Sequence, residues 1–372
     1  LEPSDLDARL IKQIYADLSE GTKKTFGNKW EKFDVKEPGS LIQKFKTNLW
    51  QFSSAKTLAE LEKMNSLLLD KGKIRTFEEF RNLVQKENVK FNNNYLRAEF
   101  ETAKRGSEMA WKWKDYVKNA DLFPNLEYRT VGDERVRPEH SILSGTVKPI
   151  SDGFWRTYYP PNGWRCRCYV VQTAATITPG KVEDPTVLPE FKGNTALDEE
   201  IFTSKGSFFK LLNKDFKAKT NAELMKLNAP YDEAYKAKNG KKVMTNIFAD
   251  EQDKLKNIET AMVVVDNLKT DVFIRPHINV QNYKNPEYLI DGKLADRKEQ
   301  IGKNIASNLK SAKLQGCKIV VFDVSKDYPF TIEKFKNNLR GFIKQYYQKD
   351  FEKFIIVNGN NAEELAVADL IK

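Results

Sequence analysis

Apolar positions in the first third of the chain recur at helical spacing. Leu41, Phe45, Leu49 and Phe52 fall on one stripe, and Leu96, Phe100, Ala103 and Ala110 on another, which predicts a helix from about Asn94 to Lys118. Ser40, Thr57 and Thr76 are each followed three residues later by Gln or Glu, the reciprocal cap that opens a helix. The pattern changes near Leu122, where Pro, Gly, Arg and aromatic residues predict short strands and ordered loops. Pro160, Pro161 and Gly163 force a turn before a Cys-rich strand. From Thr173 to Asn246 the chain is rich in Pro, Thr, Lys and Asn, and 216–246 is expected to be a linker. Beyond it the alternation becomes α-β-β-β-α-β-α-β: "DEQDKLKNIETAMVVVDNL" as helix, "DVFIRPHINV" as strand, a hairpin, then Ile301, Ile305 and Leu309 on a helix. "CKIVVFDV" follows as a buried strand, then a helix carrying Ile332, Phe335, Leu339, Phe342 and Tyr346, then "KFIIVNG". The fold class is therefore multidomain α+β. A helical region covers 1–121, a β-rich region with a Cys/Arg hairpin covers 122–215, and a C-terminal α/β domain covers 247–372.

Composition narrows this. At 372 residues there is room for several domains, and the net charge of +10 suits anionic partners such as nucleic acid or an acidic inhibitor, or serves solubility alone. No apolar run approaches the ~20 residues of a membrane span. The opening "LEPSDLDARL" lacks the basic and apolar regions of a signal peptide, so secretion by that route is not expected. Three cysteines, Cys166, Cys168 and Cys317, argue against a disulfide framework and for assembly in a reducing cytoplasm.

The chemistry concentrates in "NPEYLIDGKLADRKE". With Asp291 and Gly292 as a two-residue turn, Ile290 faces Lys293, Leu289 faces Leu294, Tyr288 faces Ala295, and Glu287 faces Asp296. Lys298, two residues beyond Asp296, shares its face, and Leu289 and Leu294 are expected to lead into the core. Opposed carboxylates repel unless a positive charge compensates. Lys298 alone would make a surface hairpin. A divalent ion such as Mg²⁺, which takes carboxylate oxygens, would make a phosphodiesterase site, with Lys298 orienting water or neutralising phosphate.

Two further groups are candidates. His140, Cys166 and Cys168 are zinc-ligand types, but a structural zinc wants four ligands and only three are evident; a metal-free hairpin with buried thiols is the favoured reading. His277, on a strand face with Arg275, would be the base of a metal-independent ribonuclease; its plainer role is a partly buried, hydrogen-bonded side chain. The arginines at 135, 137, 156, 165 and 167 either contact phosphate or pair with Asp133, Glu134, Glu139 and Asp152.

"LEYRTVGDERVRPEH", "LSGTVKPISDGFW" and "PPNGWRCRCYV" resemble the Mu F-like head-morphogenesis, or minor head, proteins of tailed phages, over roughly 40–215. The resemblance implies a virion protein near the portal, with portal and capsid proteins and packaged DNA as partners. It places the protein in the capsid interior or in host cytoplasm during assembly. Some relatives carry further Cys or His where Arg137 and Trp164 stand here. Residues 247–360 resemble the PD-(D/E)xK nucleases and the C-terminal nuclease domains of contact-dependent inhibition and other polymorphic toxins. Pro286-Glu287 matches the first half of that motif, with Glu for the usual Asp, and Asp296-Arg297-Lys298 the second. Glu259 is the candidate helix acid and metal ligand, with Glu251 as its alternative. The resemblance implies cleavage of RNA, tRNA included, or DNA, and raises an acidic immunity protein as a partner. Two alternatives stay open: a structural head protein with an inactive C-terminal domain, and a barnase- or colicin-type ribonuclease.

Overall fold

The computed structural model describes residues 7–37, 39–70, 73–89, 94–180, 182, 185–212 and 216–371. It divides into two compact units. One comprises Leu1–Trp30 and Gly39–Met225; the other comprises Glu31–Pro38 and Lys226–Lys372. No helix among the described residues is long and apolar enough to cross a membrane.

The first unit is built on four helices: α1 (Ala8–Phe26), α2 (Leu41–Leu67), α3 (Phe77–Val89) and α4 (Leu96–Lys118). α1 was not evident from the sequence, although Ile11, Ile14 and Leu18 bury one face of it and Asp7 caps it by accepting from Arg9 N at 2.8 Å. Its Phe26 joins Phe45, Leu49, Ala103 and Ala110 in a single core. The Thr76 box is real: Glu79 Oε2 accepts from Thr76 N at 3.0 Å, and Thr76 Oγ1 accepts from Glu79 N at 3.4 Å. The Thr57 box is not. No Gly or Pro interrupts α2, so the helix runs through, and the Thr57 hydroxyl turns back to donate to Ser53 O at 2.9 Å. After α4 come three short antiparallel strands, β1 (Asn125–Arg129), β2 (Val147–Pro149) and β3 (Tyr169–Thr173), in the order β2-β1-β3. Tyr128, Trp155, Tyr159 and Val170 pack there with Met109 and Trp113 of α4.

The expected linker is ordered. Residues 216–246 contain α5 (Phe216–Met225) in the first unit and strands β4 (Tyr231–Lys236) and β5 (Lys242–Asn246) in the second. β4 lies at the edge of its sheet, where one flank needs no partner and charged residues are tolerated. That is why its "YDEAYK" does not look like a strand.

The rest of the second unit follows the expected order: α6 (Lys254–Asn267), β6 (Val272–Ile274), β7 (Tyr288–Ile290), β8 (Lys293–Gln300), α7 (Ile305–Leu314), β9 (Ile319–Val324), α8 (Ile332–Phe342), β10 (Lys353–Asn358) and, beyond that order, β11 (Asn361–Ala366). All eight strands form one mixed sheet in the order β11-β10-β9-β8-β7-β6-β5-β4. Side chains of β9 alternate between the faces. Ile319 and Val321 pack with Ile258, Ala261 and Val264 of α6; Val320 and Phe322 pack with Leu309 of α7 and Phe335 of α8. The strand expected through Val280 stops at Ile274, because Pro276 has no N–H to continue a ladder. Ile301 is exposed ahead of α7, whose cap is Asn304, accepting from Ser307 N at 3.2 Å.

Candidate active site

The Asp291-Gly292 turn has φ of +50° and +74°, the pair of left-handed conformations a type I′ hairpin requires. It sets the register Lys293↔Ile290, Leu294↔Leu289, Ala295↔Tyr288. One step further along stand Glu287 and Asp296. Parity decides what each side chain meets. Tyr288, Ile290 and Ala295 turn to the α6 side and are fully buried there. Leu289 and Leu294 turn the other way and are only partly buried, so the expectation that they lead into the core is corrected. Asp296 and Lys298 lie beside Val320 and Phe322 of β9, whose side chains face α7 and α8.

Lys298 Nζ is 2.7 Å from Asp296 Oδ2, an ion pair whose angle does not make an aligned hydrogen bond. Glu287 Oε2 accepts from the backbone N–H of Arg297 at 2.9 Å. Burial, then the Asp296 carboxylate, push the Glu287 carboxyl up to about 7, against the Arg297 N–H and Lys298. Burial also raises Asp296, against Lys298. The intervening Arg297 points to the opposite face, where its Nε reaches Thr260 Oγ1 at 3.0 Å and Asp323 Oδ2 at 3.1 Å, tying β8 to α6 and β9.

Glu287 opens into a cavity of about 300 Å³ lined also by Asp250, Asn257, His277, Tyr283 and Gln315. Backbone hydrogen bonds shape its wall: Arg275 N donates to Glu287 O at 2.8 Å, and Asn285 brackets Ile278 through two bonds of 2.9 and 3.1 Å. His277 Nδ1 lies 3.2 Å from Asp250 Oδ2, and its backbone N–H donates to Phe248 O at 2.8 Å. Asn257 Oδ1 and Gln315 Oε1 are buried and accept no hydrogen bond. Glu287 and the two orphaned amide oxygens of this wall, with the buried Asp296 across from Glu287 on β8, are oxygen donors of the type a hard divalent cation takes, so the chemistry of the site fits Mg²⁺. Asp250, Asn257 and Gln315 escaped the sequence reading. Only Asp250, in a Pro-free acidic turn before α6, left any signal there.

The helix acids stand apart. Glu259 is exposed on α6, and Glu251 pairs with Lys254 at 2.6 Å. Among the described residues, the one group of three Asp, Glu, His or Cys ligand atoms lying mutually within 4.8 Å is His140, Cys166 and Cys168 in the first unit. Cys166 Sγ and Cys168 Sγ lie 3.7 and 3.6 Å from His140 Nδ1, close to the edge of about 3.6 Å expected between sulfur and nitrogen on tetrahedral zinc. The contact with Cys168 holds the Cys166 thiol well below its ordinary range, His140 adding to it, while the same contact and burial push Cys168 up. Among the described residues no fourth ligand joins them. A side chain at Gly163 would start 3.6 Å from His140 Cε1 but only 3.1 Å from Arg137 Nη1, so a cation borders the cluster. The residues fit zinc in type and spacing and fall short in number.

Comparison with known proteins divides the chain in the same way. The family Phage Mu protein F like protein matches residues 69–171, and the Contact-dependent growth inhibition CdiA C-terminal domain matches 284–362, which includes Glu287, Asp296 and Lys298. The chain thus carries a region similar to Mu F proteins followed by a region similar to CdiA C-terminal domains. The F protein of Escherichia phage Mu, whose name assigns it to capsid assembly, is 48% identical over 61 residues, 16% of this chain and 14% of its own length. The FluMu F protein of a Mu-like prophage of Haemophilus influenzae (strain ATCC 51907 / DSM 11121 / KW20 / Rd) is 37% identical over 75 residues, 20% of this chain and 18% of its own. The chain therefore matches less than a fifth of either relative. A CdiA-CT/CdiI toxin and immunity complex from Burkholderia pseudomallei aligns at 21% identity over 32% of this chain and 89% of that one, with a TM-score of 0.24.

Proposed function

We propose that this is a portal-proximal minor head protein whose second unit is a metal-dependent nuclease effector. The observation that carries this is the pairing of the buried Asp296 with the partly buried Glu287, with Lys298 2.7 Å from Asp296, beside a cavity whose wall includes two amide oxygens that lack donors. A structural sheet gains nothing from burying two like charges. Glu287 and Asp296 hold a divalent cation, with Asn257 and Gln315 as further oxygen donors. The cation supplies positive charge to a phosphodiester undergoing displacement. Lys298 neutralises the phosphate and orients the attacking water. The substrate is RNA of the tRNA kind, or DNA. A net charge of +10 favours such a polyanion, and equally an acidic immunity protein that would restrain the effector.

The second reading is a metal-independent ribonuclease. It is favoured by His277 and Asp250, 3.2 Å apart on the same cavity as Glu287: Asp250 would orient the imidazole as general base. Incubation of the full chain with tRNA, single-stranded DNA and duplex DNA, with Mg²⁺ or with chelator, separates the two. Cleavage confined to Mg²⁺ supports the first, and cleavage that survives chelation replaces it with the second. No cleavage under either condition would leave the unit as an inactive nuclease-like fold.

A further inference from the structure

The arginines of the first unit converge. A cavity of about 620 Å³ is lined by seven cationic side chains and two carboxylates, Glu101 and Glu108. The cations come from three places: Arg97, Lys104 and Arg105 on α4, Arg135 and Arg137 on the loop after β1, and Arg165 and Arg167 on the segment leading to β3. Internal pairing consumes part of this charge. Arg105 pairs with Glu108 at 3.1 Å, and Asp133 takes Arg167 through two bonds of 2.6 Å and Arg135 at 3.3 Å. The other four, Arg97, Lys104, Arg137 and Arg165, have no carboxylate partner among the described residues.

Two of those four are held in place without being neutralised. Arg137 Nη2 donates to Trp164 O at 2.7 Å, and Arg165 Nη2 donates to Asn94 O at 3.0 Å. A guanidinium has five N–H donors, so one bond to a neutral carbonyl fixes the fork and leaves both charge and donors for a ligand. Arg137 and Arg165 also line a second, adjoining cavity of about 660 Å³, whose wall includes Tyr95, Trp164 and Phe208 and whose surface is mostly apolar. Phosphate-matched forks beside an aromatic wall are the two parts of a single-strand site: cations follow the backbone and rings stack on unpaired bases. A duplex offers the phosphates but keeps its bases stacked on one another. An acidic peptide would answer the charge and leave the aromatic wall without a partner.

We infer that these paired cavities of the Mu F-like unit bind a single-stranded nucleic acid, phosphates in the arginine cavity and bases in the aromatic one. This is independent of the nuclease reading, because none of these residues lies in the second unit.

The test uses the full chain carrying Glu287→Gln and His277→Ala, in chelator, so that neither reading of the second unit leaves a probe open to cleavage. Binding of a fluorescein-labelled 20-mer of thymidylate is compared with that of a 20-base-pair duplex. The single strand should bind at least ten-fold more tightly. Arg97→Ala with Lys104→Ala should weaken it about ten-fold and flatten the dependence of log affinity on log salt by roughly 1.4, two phosphate contacts at about 0.7 each. Both side chains reach solvent, and an unchanged melting temperature checks the fold. Photo-cross-linking with 5-iodouridine in the strand should label Tyr95, Trp164 or Phe208. Equal affinity for the duplex, an unaltered salt dependence in the double variant, competition by poly-glutamate as strong as by the single strand, or cross-links confined to residues 226–372 would each overturn the assignment.

Discussion

Glu287 Oε2 takes the backbone N–H of Arg297 at 2.9 Å, one residue past the carboxylate it confronts. The hydrogen bond fixes the Glu287 side chain against β8, so it cannot swing away from Asp296. The repulsion is built in, and pH exposes it.

Glu287→Gln should stabilise the protein in alkali and not in acid. The folded Glu287 carboxyl is pushed up to about 7 from an ordinary value near 4.5. Its favourable contribution is therefore complete below about 4.5 and is lost as pH rises through about 7. The glutamine variant, which keeps an acceptor for Arg297 N, should gain on the order of 2 kcal/mol at pH 8 and little at pH 4.5. Denaturant titrations of the two proteins at both pH values measure this. A constant difference across the range would mean that Glu287 is not held protonated. Cleavage should be abolished in the same variant.

Lys298→Ala should lower stability by roughly 1–3 kcal/mol at pH 8, because it strips the counter-charge from a buried carboxylate. Excess Mg²⁺ should restore much of the loss while cleavage stays strongly impaired. Thermal melts with and without Mg²⁺ check the first half. If the melting temperature of the variant ignores Mg²⁺, Asp296 is not a ligand.

His277→Ala should reduce Mg²⁺-dependent cleavage by less than ten-fold. Its imidazole is over a third exposed and faces Asp250 rather than the carboxylate pair. Loss of all activity in this variant, with wild-type activity persisting in chelator, would transfer the chemistry to His277 and Asp250.

Replacing Cys166 and Cys168 by Ser should destabilise the first unit by several kcal/mol in total, since both thiols lie in a core with Tyr128, Trp155 and Tyr159. Nuclease activity of the intact chain should persist. Elemental analysis after dialysis against a chelator should find far less than one zinc per chain, because three donors and a neighbouring Arg137 do not close a tetrahedral site. One retained equivalent would mean that the cluster holds zinc with a non-protein fourth ligand.

What the sequence disclosed was local. The Asp291-Gly292 turn specifies its own register, so Ile290 to Lys293 and onward could be paired without any tertiary knowledge. The continuous apolar run in "CKIVVFDV" was enough to place a buried strand. What stayed hidden was contributed at a distance. Asn257 comes from the first turn of α6 and Gln315 from the end of α7, and neutral amides carry no motif. Thr57 misled because a capping box in the middle of an unbroken helix has the same letters as one at its start. Strand β4 was hidden because edge position relaxes the apolar alternation by which strands are recognised.

One segment alters what it means to call the second unit a cassette. Phe33, upstream of every Mu F-like motif, is 4% exposed in the core of the second unit with Val243 and Ile258. Its N–H donates to Glu233 O at 3.1 Å, and the Lys254 ammonium stands 5.4 Å over its ring. In connectivity the two units interleave: the first takes Leu1–Trp30 and Gly39–Met225, the second Glu31–Pro38 and Lys226–Lys372. No single peptide bond can then be cut to free the whole second unit. A fragment starting at residue 240 would lack Phe33, β4 and a wall of its core, and should be expressed insoluble or molten. A transfer at one junction would likewise carry the second unit without residues 31–38, eight residues that belong to its fold, so moving this unit whole takes two joins.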